Sequence, residues 1–386
     1  MMDGYTFQGY RRANGTVGLR NHVVLLPVDG LSNRVARNVS HLIGGTLDLK
    51  HAYGDLQFGR DLELFFRIMT GIGSNPNVAA AVVIGMEPDW LDRIASGIEA
   101  TGKPVARFVI GQSGDLATTE KAARKAQEFV YHASEIKTQT VSLADIVLST
   151  KCSESDTTNG MVSNPTVGKV VERVLAAGST VIFGETSELT GAEHMIADRI
   201  KRQDQKDRFW RLYNDYAGFI KNQEAHLLGS QPTQSNIHGG LSTIEEKAFG
   251  NVAKIGLAFI EGALESADPP PGKGLWFMDT SSAAAEVLTL FAAAGSVLCL
   301  VPTGQGNIIG SPVMPVIKLT ANPQTVKTMT EHIDLDLSGV LRREISVDQA
   351  GDLLMDMLRR VAGGRLTASE VLKHHEFVPV KLFRSA

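Results

Sequence analysis

The chain has 386 residues, of which 43% are apolar and 21% charged, with a formal net charge of −4 and two cysteines. This length exceeds what one hydrophobic core usually fills, so two domains are expected. The scattered Lys and Arg exclude the basic stripe of a nucleic-acid-binding protein. Two cysteines indicate neither a disulfide framework nor an iron–sulfur cluster, which usually takes three or four thiolate ligands.

The sequence contains no apolar signal segment at its N-terminus. The longest uncharged run, residues 287–305, is interrupted by glycine and proline and is too broken to span a bilayer. We therefore expect a cytoplasmic protein that does not enter the membrane.

Apolar runs alternate with amphipathic stretches along the whole chain, which favours a parallel sheet covered by helices. The runs that predict buried strands are residues 22–28, 79–85, 105–111, 144–148, 180–183, 275–278 and 296–301. The stretches that predict helices are residues 90–101, 118–133, 166–177 and 193–225. The fold class expected is α/β, with two doubly wound, mainly parallel-sheet halves over residues 1–140 and 141–386.

In such a sheet, ligands bind at the loops that follow the strands. The loop at residues 151–164 is dense in Cys, Asp, Glu, Ser, Thr and Asn, although a long polar turn with a helix cap would have the same composition. The loop at residues 184–194 holds three carboxylates and His194, a set able to bind a divalent cation and supply a general base. Its alternative interpretation is a helix capped by Thr190 with Glu193 as capping-box partner.

Two further loops combine glycines with polar side chains. Residues 231–243 contain Gly239 and Gly240, whose backbone amides can approach an anionic ligand, but an ordinary flexible loop has a similar composition. Residues 302–310 contain a Gly-x-Gly sequence at a strand end, which is a weak signal for an anion site. Near the C-terminus, Ser346 and Thr367 each begin a helix with a capping box.

Several motifs in the same order resemble the altronate and galactarate dehydratase family over nearly the whole chain. They are residues 9–12 (Gly-Tyr-Arg-Arg), 17–22, 151–152, 155–156, 160–168, 185–194, 239–241, 245–247 and 278–279. Residues 51–59, 275–286 and 331–344 are most similar to the subgroup of that family that acts on (R)-3-sulfolactate.

The resemblance implies metal-dependent β-elimination from a small anionic hydroxy acid. Within the subgroup, the C2 proton of (R)-3-sulfolactate leaves, sulfite departs from C3, and the enol product becomes pyruvate. The resemblance also implies one divalent metal, usually Fe2+ with Mn2+ as alternative, and a separate small subunit equivalent to the N-terminal domain of longer family members. An oligomer is expected.

Carried onto this sequence, the resemblance implies three sets of site residues. The expected metal ligands are Cys152, Asp156, Glu185 and His194. The residues expected to transfer protons are Lys151 and Glu188, with the choice of base between them left open. The expected substrate-binding residues are Asn164, Asn236, Thr303, Gln305 and Gly306. Two alternatives stay open, a sugar-acid dehydratase that eliminates water and a non-catalytic binding subunit.

Overall fold

The computed structural model describes residues 5–223 and 231–386. Its strands are β1 Thr6–Arg11, β2 Val17–Gly18, β3 His22–Pro27, β4 Thr46–Asp48, β5 Val78–Gly85, β6 Val105–Val109, β7 Gln139–Ser142, β8 Val147–Thr150, β9 Thr180–Phe183, β10 Ile260–Leu264, β11 Gly274–Met278, β12 Leu298–Pro302, β13 Val316–Thr320 and β14 Leu335–Asp336.

The helices complete the layers that cover these strands. They are α1 Asn33–Leu42, α2 Gly59–Ser74, α3 Pro88–Glu99, α4 Gly114–Glu135, α5 Asn164–Ala176, α6 Glu193–Ala197, α7 Gln203–Asn222, α8 Gln234–His238, α9 Ile244–Ala253, α10 Ala284–Ala293, α11 Pro323–Thr328, α12 Ser338–Leu341, α13 Val347–Ala362 and α14 Ala368–Val371. No helix within the described residues is both long and apolar enough to cross a membrane.

The first half is built around a four-stranded parallel sheet in the order β4-β3-β5-β6. Every residue of β5 is buried, as expected for a continuous apolar strand with helices on both faces of its sheet. The second half contains a seven-stranded parallel sheet in the order β10-β11-β9-β8-β12-β13-β14. The predicted α/β class with parallel sheets is therefore confirmed.

The order of the larger sheet contains a switch point. From β8 the chain continues to β9 on one side, whereas β12 pairs with the other side of β8. Loops that leave neighbouring strands in opposite directions open a crevice at the carboxyl ends of those strands. The fold therefore places the loops after β8, β9 and β12 around one point.

The two halves, before and after residue 140, are joined by strand pairing and by a common hydrophobic core. β1 pairs antiparallel with β2 and with β7, which joins the two halves in sequence. A core cluster contains Phe65 and Met69 from α2 together with Phe291 from α10. Because one core crosses the expected boundary, the division at residue 140 stays a prediction.

The seven predicted strands all exist, but one is displaced. The run at residues 144–148 begins with a short 3-10 turn, Leu143–Asp145, and the strand follows as β8. A capping box between Ser142 and Asp145 stabilises this turn. The capping boxes predicted at Ser346 and Thr367 are confirmed.

The single helix predicted over residues 193–225 is wrong as far as the structure describes it, since residues 224–225 lie outside the described part. The chain forms α6, leaves the helix, and begins α7 at Gln203. The interruption occurs because Ile200 forms a β-bridge with Ile260 at the edge of the large sheet. Thr190 does not cap α6 either, since the N-cap is Ala192 and the Glu193 carboxylate accepts a bond from the Gly191 amide.

Candidate functional site

The candidate site lies at the carboxyl ends of β8 and β9. Thr150 and Phe183 are partners in the parallel register, so the residues that follow them leave the sheet side by side. Lys151 and Cys152 continue β8, whereas Glu185 follows β9 after one glycine. The sheet therefore brings together two loops that are more than thirty residues apart in sequence.

The loop after β9 has an unusual backbone. Glu185 has φ 74° and ψ 58°, a left-handed conformation that costs energy for any residue with a side chain. Its amide donates to Thr280 Oγ1 at 2.8 Å, which fixes the chain in this position. The 3-10 turn Thr186–Leu189 follows, and the Glu188 amide donates to Glu185 O at 2.9 Å. An oxygen of the Glu185 carboxylate lies within 4.8 Å of one of Glu188, so the two carboxylates face the same side.

Cys152 contacts both carboxylates. Its Sγ donates to Glu188 Oε2 at 3.1 Å and lies 3.6 Å from Glu185 Oε2. Its backbone amide donates to Glu185 Oε2 at 3.2 Å. All three side chains are at most 3% exposed, so water competes little for these contacts.

Three buried lysines surround the carboxylates. Lys151 Nζ lies 3.0 Å from Glu185 Oε1, and Lys254 Nζ donates to Glu185 Oε2. Lys247 Nζ lies 3.1 Å from Glu188 Oε1. Buried charges persist only when they are paired, and here every lysine has a carboxylate partner. We refer to Lys151, Cys152, Glu185, Glu188, Lys247 and Lys254 as the buried cluster.

The pairing sets the protonation of the buried cluster. Burial opposes ionisation of Glu188, yet Lys247 and Lys151 lower the pKa of its carboxyl to about 2. Burial likewise opposes the charge on Lys151, but Glu185 and Glu188 raise the pKa of its ammonium group above the ordinary value. Burial, Glu185 and Glu188 together raise the pKa of the Cys152 thiol. Glu188 is therefore an ionised acceptor and Lys151 a permanent cation at neutral pH.

Cys152, Glu185 and Glu188 form a group that can hold a metal ion, because their ligand atoms all lie within 4.8 Å of one another. One sulfur and two carboxylates combine a soft donor with hard ones, a set compatible with a first-row divalent metal. The residues present therefore fit such an ion. The other cysteine, Cys299, is buried in the core within β12.

Two of the expected metal ligands are placed elsewhere. Asp156 precedes the helical turn that begins at Thr157, and its Oδ1 accepts from the Asn159 amide at 3.0 Å. Its Oδ2 accepts from Asn322 Nδ2 at 2.8 Å, so both oxygens are engaged. His194 lies on α6 with an exposed side chain. Within the described residues, neither contributes an atom to the group around Cys152.

The expected substrate-binding residues mostly hold loops together. Asn164 Nδ2 donates to Gly250 O at 2.7 Å, and Asn236 Nδ2 donates to Ser155 O at 2.9 Å. Asn236 also accepts from Lys247 Nζ at 3.0 Å, which ties it to the buried cluster.

The loop after β12 is used in the same way. Gln305 Nε2 donates to Ser235 O at 2.6 Å. Thr303 Oγ1 accepts from the Gly306 amide at 3.1 Å, and Gly306 has a φ of 86°. These three residues therefore shape the loop.

Sequence reasoning missed the contribution of α9. Lys247, Asn251 and Lys254 are spaced i, i+4 and i+7, so they share one face of this helix and its C-terminal turn. Asn251 Oδ1 lies 3.9 Å from Cys152 Sγ. The usable signal was two lysines seven residues apart, hence on one helical face, in a helix that also buries Ala248 and Val252. A charged side chain on such a face needs a buried partner.

Three buried polar atoms on the segment that runs from the end of β8 to the first residue of α5 have no hydrogen-bond partner within the described residues. They are Thr150 Oγ1, Asn159 Oδ1 and Asn164 Oδ1. Thr150 directly precedes Lys151, and Asn159 lies in a π-helical segment, Asn159–Ser163, that runs into α5. π-helical segments occur frequently at functional sites. These atoms can bond to a polar ligand or to water.

Comparison with known proteins identifies two family domains that together cover most of the chain. Residues 143–385 match the family described as D-galactarate/Altronate dehydratase, C-terminal. Residues 9–134 match the family described as D-galactarate dehydratase/Altronate hydrolase, second domain.

Named relatives extend over nearly the full length. The chain is 54% identical to the (2R)-sulfolactate sulfo-lyase subunit beta of Chromohalobacter salexigens, with 100% of both chains covered. It is 26% identical to the altronate dehydratase of Bacillus subtilis over 98% of this chain and 78% of that one. It is 25% identical to the galactarate dehydratase (L-threo-forming) of Escherichia coli over 94% of this chain and 74% of that one.

Proposed function

The chain belongs to the D-galactarate/altronate dehydratase family, and from this premise we propose that it is the large subunit of a lyase that converts (2R)-sulfolactate into pyruvate and sulfite. Its relatives are named sulfo-lyase and dehydratases, and the chain is an enzyme of the lyase class. The observation that carries the choice of substrate is the 54% identity to a sulfolactate sulfo-lyase subunit over the whole of both chains.

The proposed reaction is a β-elimination. The C2–H bond breaks, its electron pair forms the C2=C3 double bond, and the C3–S bond breaks with both electrons leaving on sulfite. The enol of pyruvate then becomes the keto acid by taking a proton at C3 and losing the proton of its 2-hydroxyl group. Sulfite departs as a stabilised anion, so the site needs less acid assistance at C3 than a dehydratase that expels hydroxide.

We assign the metal to Cys152, Glu185 and Glu188, and propose Fe2+ with Mn2+ as the alternative. When bound, a divalent metal supplies Lewis-acid stabilisation of the negative charge that develops next to the substrate carboxylate. Lys151 and Lys254 hold the Glu185 carboxylate in place, and Lys247 does the same for Glu188.

The charges of the buried cluster suit a dianionic substrate. Three lysines face two carboxylates and one thiol, so these side chains carry one net positive charge while the thiol keeps its proton. A carboxylate–sulfonate dianion brings two negative charges into this buried region, where charge pairs interact strongly. We propose that Lys151 stays protonated and stabilises the substrate anion, because its pKa is raised.

Glu188 is the proposed acceptor of the C2 proton. It is ionised at neutral pH and hydrogen-bonded to Cys152 and Lys247. Because it also belongs to the metal-binding group, Glu188→Gln separates the two roles. A variant that keeps its metal but no longer exchanges the C2 proton of substrate with solvent assigns Glu188 as base, whereas loss of metal assigns it as ligand.

We further propose a small partner subunit. The relative with 54% identity is named subunit beta, which indicates at least one other subunit in that enzyme. The altronate dehydratase of Bacillus subtilis is longer than the region it shares with this chain, which covers 78% of that protein. A separate subunit would supply an equivalent of the additional region.

The test measures sulfite and pyruvate release from (2R)-sulfolactate by the chain with its small partner, prepared anaerobically with Fe2+. Equimolar products, abolished in Cys152→Ser but unchanged in the surface control Glu63→Gln, are the expected result. Formation of a 2-keto-3-deoxy acid from altronate or galactarate instead would assign the chain to the dehydratases. No product from any of these acids, in folded and metal-loaded protein, would favour a binding subunit.

A further inference from the structure

Lys254 contacts two of the three side chains assigned to the metal. Its Nζ donates to Glu185 Oε2 and lies 3.7 Å from Cys152 Sγ. The Lys254 side chain is completely buried, as is that of Glu185. The Lys254 ammonium group is therefore paired with a buried carboxylate, in a place from which water is excluded.

The backbone holds Lys254 in this position. α5 and the end of α9 approach so closely that a Cβ atom at Gly168 would lie 2.4 Å from Ala253 O. A Cβ atom at Gly256, which has a φ of 59°, would lie 2.7 Å from Gly168 O. Lys254 lies between these two contacts, so its backbone has little freedom to move away from the buried cluster.

A fixed ammonium group has opposite effects on the two ions that this site is proposed to bind. It shares Glu185 and Cys152 with any metal held there, and it repels a divalent cation across a few ångströms of buried space. The same charge attracts a dianionic acid. Charge pairs at these separations interact several-fold more strongly in a protein interior than in water.

We propose that Lys254 determines ion preference, because it weakens the site for a divalent cation and strengthens it for a dianionic hydroxy acid. The inference rests on the metal assignment in the proposed function. It implies that the protein binds its metal less tightly than the same three ligands would without the Lys254 charge, and that it binds a dianionic substrate more tightly.

The experiment uses the full chain with its small partner, Co2+ as metal probe and malate as dianion probe. Malate has the 2-hydroxy acid group and a second anion at C3, but its carboxylate is not a leaving group. Isothermal titration measures each ion separately, and the thiolate-to-cobalt absorption band reports whether Cys152 is a ligand. The variants are Lys254→Met, Lys254→Arg and the matched control Lys318→Met, which removes another fully buried lysine.

The expected result for Lys254→Met is a dissociation constant for Co2+ at least about tenfold lower and one for malate at least about tenfold higher. Lys254→Arg and Lys318→Met should keep both constants within about threefold of the unaltered protein. A structural defect would weaken the binding of both Co2+ and malate, so opposite changes in the two dissociation constants identify an effect of charge. Lys254→Gln removes the same charge and replaces Lys254→Met if that variant is unstable.

Changes in the same direction, or no change in either constant, would overturn the inference. Its failure can be distinguished from failure of the metal assignment by Cys152→Ser. If the cobalt band persists in that variant, the metal does not bind at this site and the assignment is wrong. If the band is lost but Lys254→Met behaves like the unaltered protein, only the role of Lys254 is wrong.

Discussion

Glu185→Gln should destabilise the fold more than any single change at the surface. Glu185 bonds to Lys151 at 3.0 Å and also to Lys254, and the three side chains are 0–3% exposed. Glutamine keeps the size and shape of the side chain but removes its charge. The substitution would therefore leave two ammonium groups in the interior with one fewer carboxylate to neutralise them.

The magnitude follows from the burial of these ion pairs. Removing one partner of a buried pair typically costs about 3–5 kcal/mol, because the remaining charge has no water to solvate it. Solvent screening does not reduce this figure much here, since Glu185 is completely buried. Glu188→Gln should cost less, because Glu188 pairs directly with Lys247 alone among the described lysines.

Reversible denaturant unfolding of the metal-free chain measures both losses, with Glu63→Gln as the surface control. Glu63 pairs with Arg93, and both side chains are more than half exposed, so that change should have little effect. The double variant Glu185→Gln/Lys254→Met should recover part of the loss, because it removes one charge of each sign. If Glu185→Gln is no more destabilising than Glu63→Gln, or the double variant recovers nothing, the ion-pair reasoning is refuted.

Three further outcomes are expected. Cys152→Ser should lose bound metal, by atomic absorption, and reduce sulfite release by at least the roughly 100-fold that changes next to a metal ligand can cost. Gly304→Ala should lower the free energy of unfolding by about 1–3 kcal/mol, because its Cβ would lie 2.3 Å from Asp156 Cγ. Burial, partly opposed by a hydrogen bond from Thr186, raises the pKa of Asp279 from 3.8 to about 6. Between these two pKa values the folded state holds a proton that the unfolded chain has released. The free energy of unfolding should therefore fall by up to roughly 3 kcal/mol as the pH rises from about 4 to 6, and Asp279→Asn should remove this part of its pH dependence.

The strands that the sequence predicts are those formed by continuous runs of apolar residues. β3, β5, β9 and β12 are runs of apolar residues, because helices cover both faces of a parallel sheet. β1 and β7 alternate or are partly exposed, and β4 and β14 are very short, so none has a continuous run. The sequence therefore predicts strands that are buried on both faces, but not the short or partly exposed strands that pair at the edges.

The site was predictable only as far as the sheet determines it. Strand ends that are neighbours in a parallel sheet bring Lys151 and Cys152 next to Glu185 and Glu188, and the loops that contain them were expected. The position of α9 over these loops depends on packing between residues about a hundred apart, which no local pattern reports. Asp156 shows the converse, since a helix cap within residues 151–164 is one of the two interpretations that the local pattern allows, and its Oδ1 accepts from the Asn159 amide in the structure.

The buried cluster is stable only as a whole, and this property explains why its members were hard to assign one at a time. Each lysine is tolerated in the interior because a carboxylate contacts it, and each carboxylate stays ionised because lysines contact it. The thiol lies between the two carboxylates and beside Lys254, so a change at any of these positions alters the charge felt by the others. It follows that the free energy of unfolding of Glu185→Gln and the ion affinities of Lys254→Met both depend on the same set of buried charges. A chain that lost one of these charges without losing its partner would lose fold stability and ion preference together.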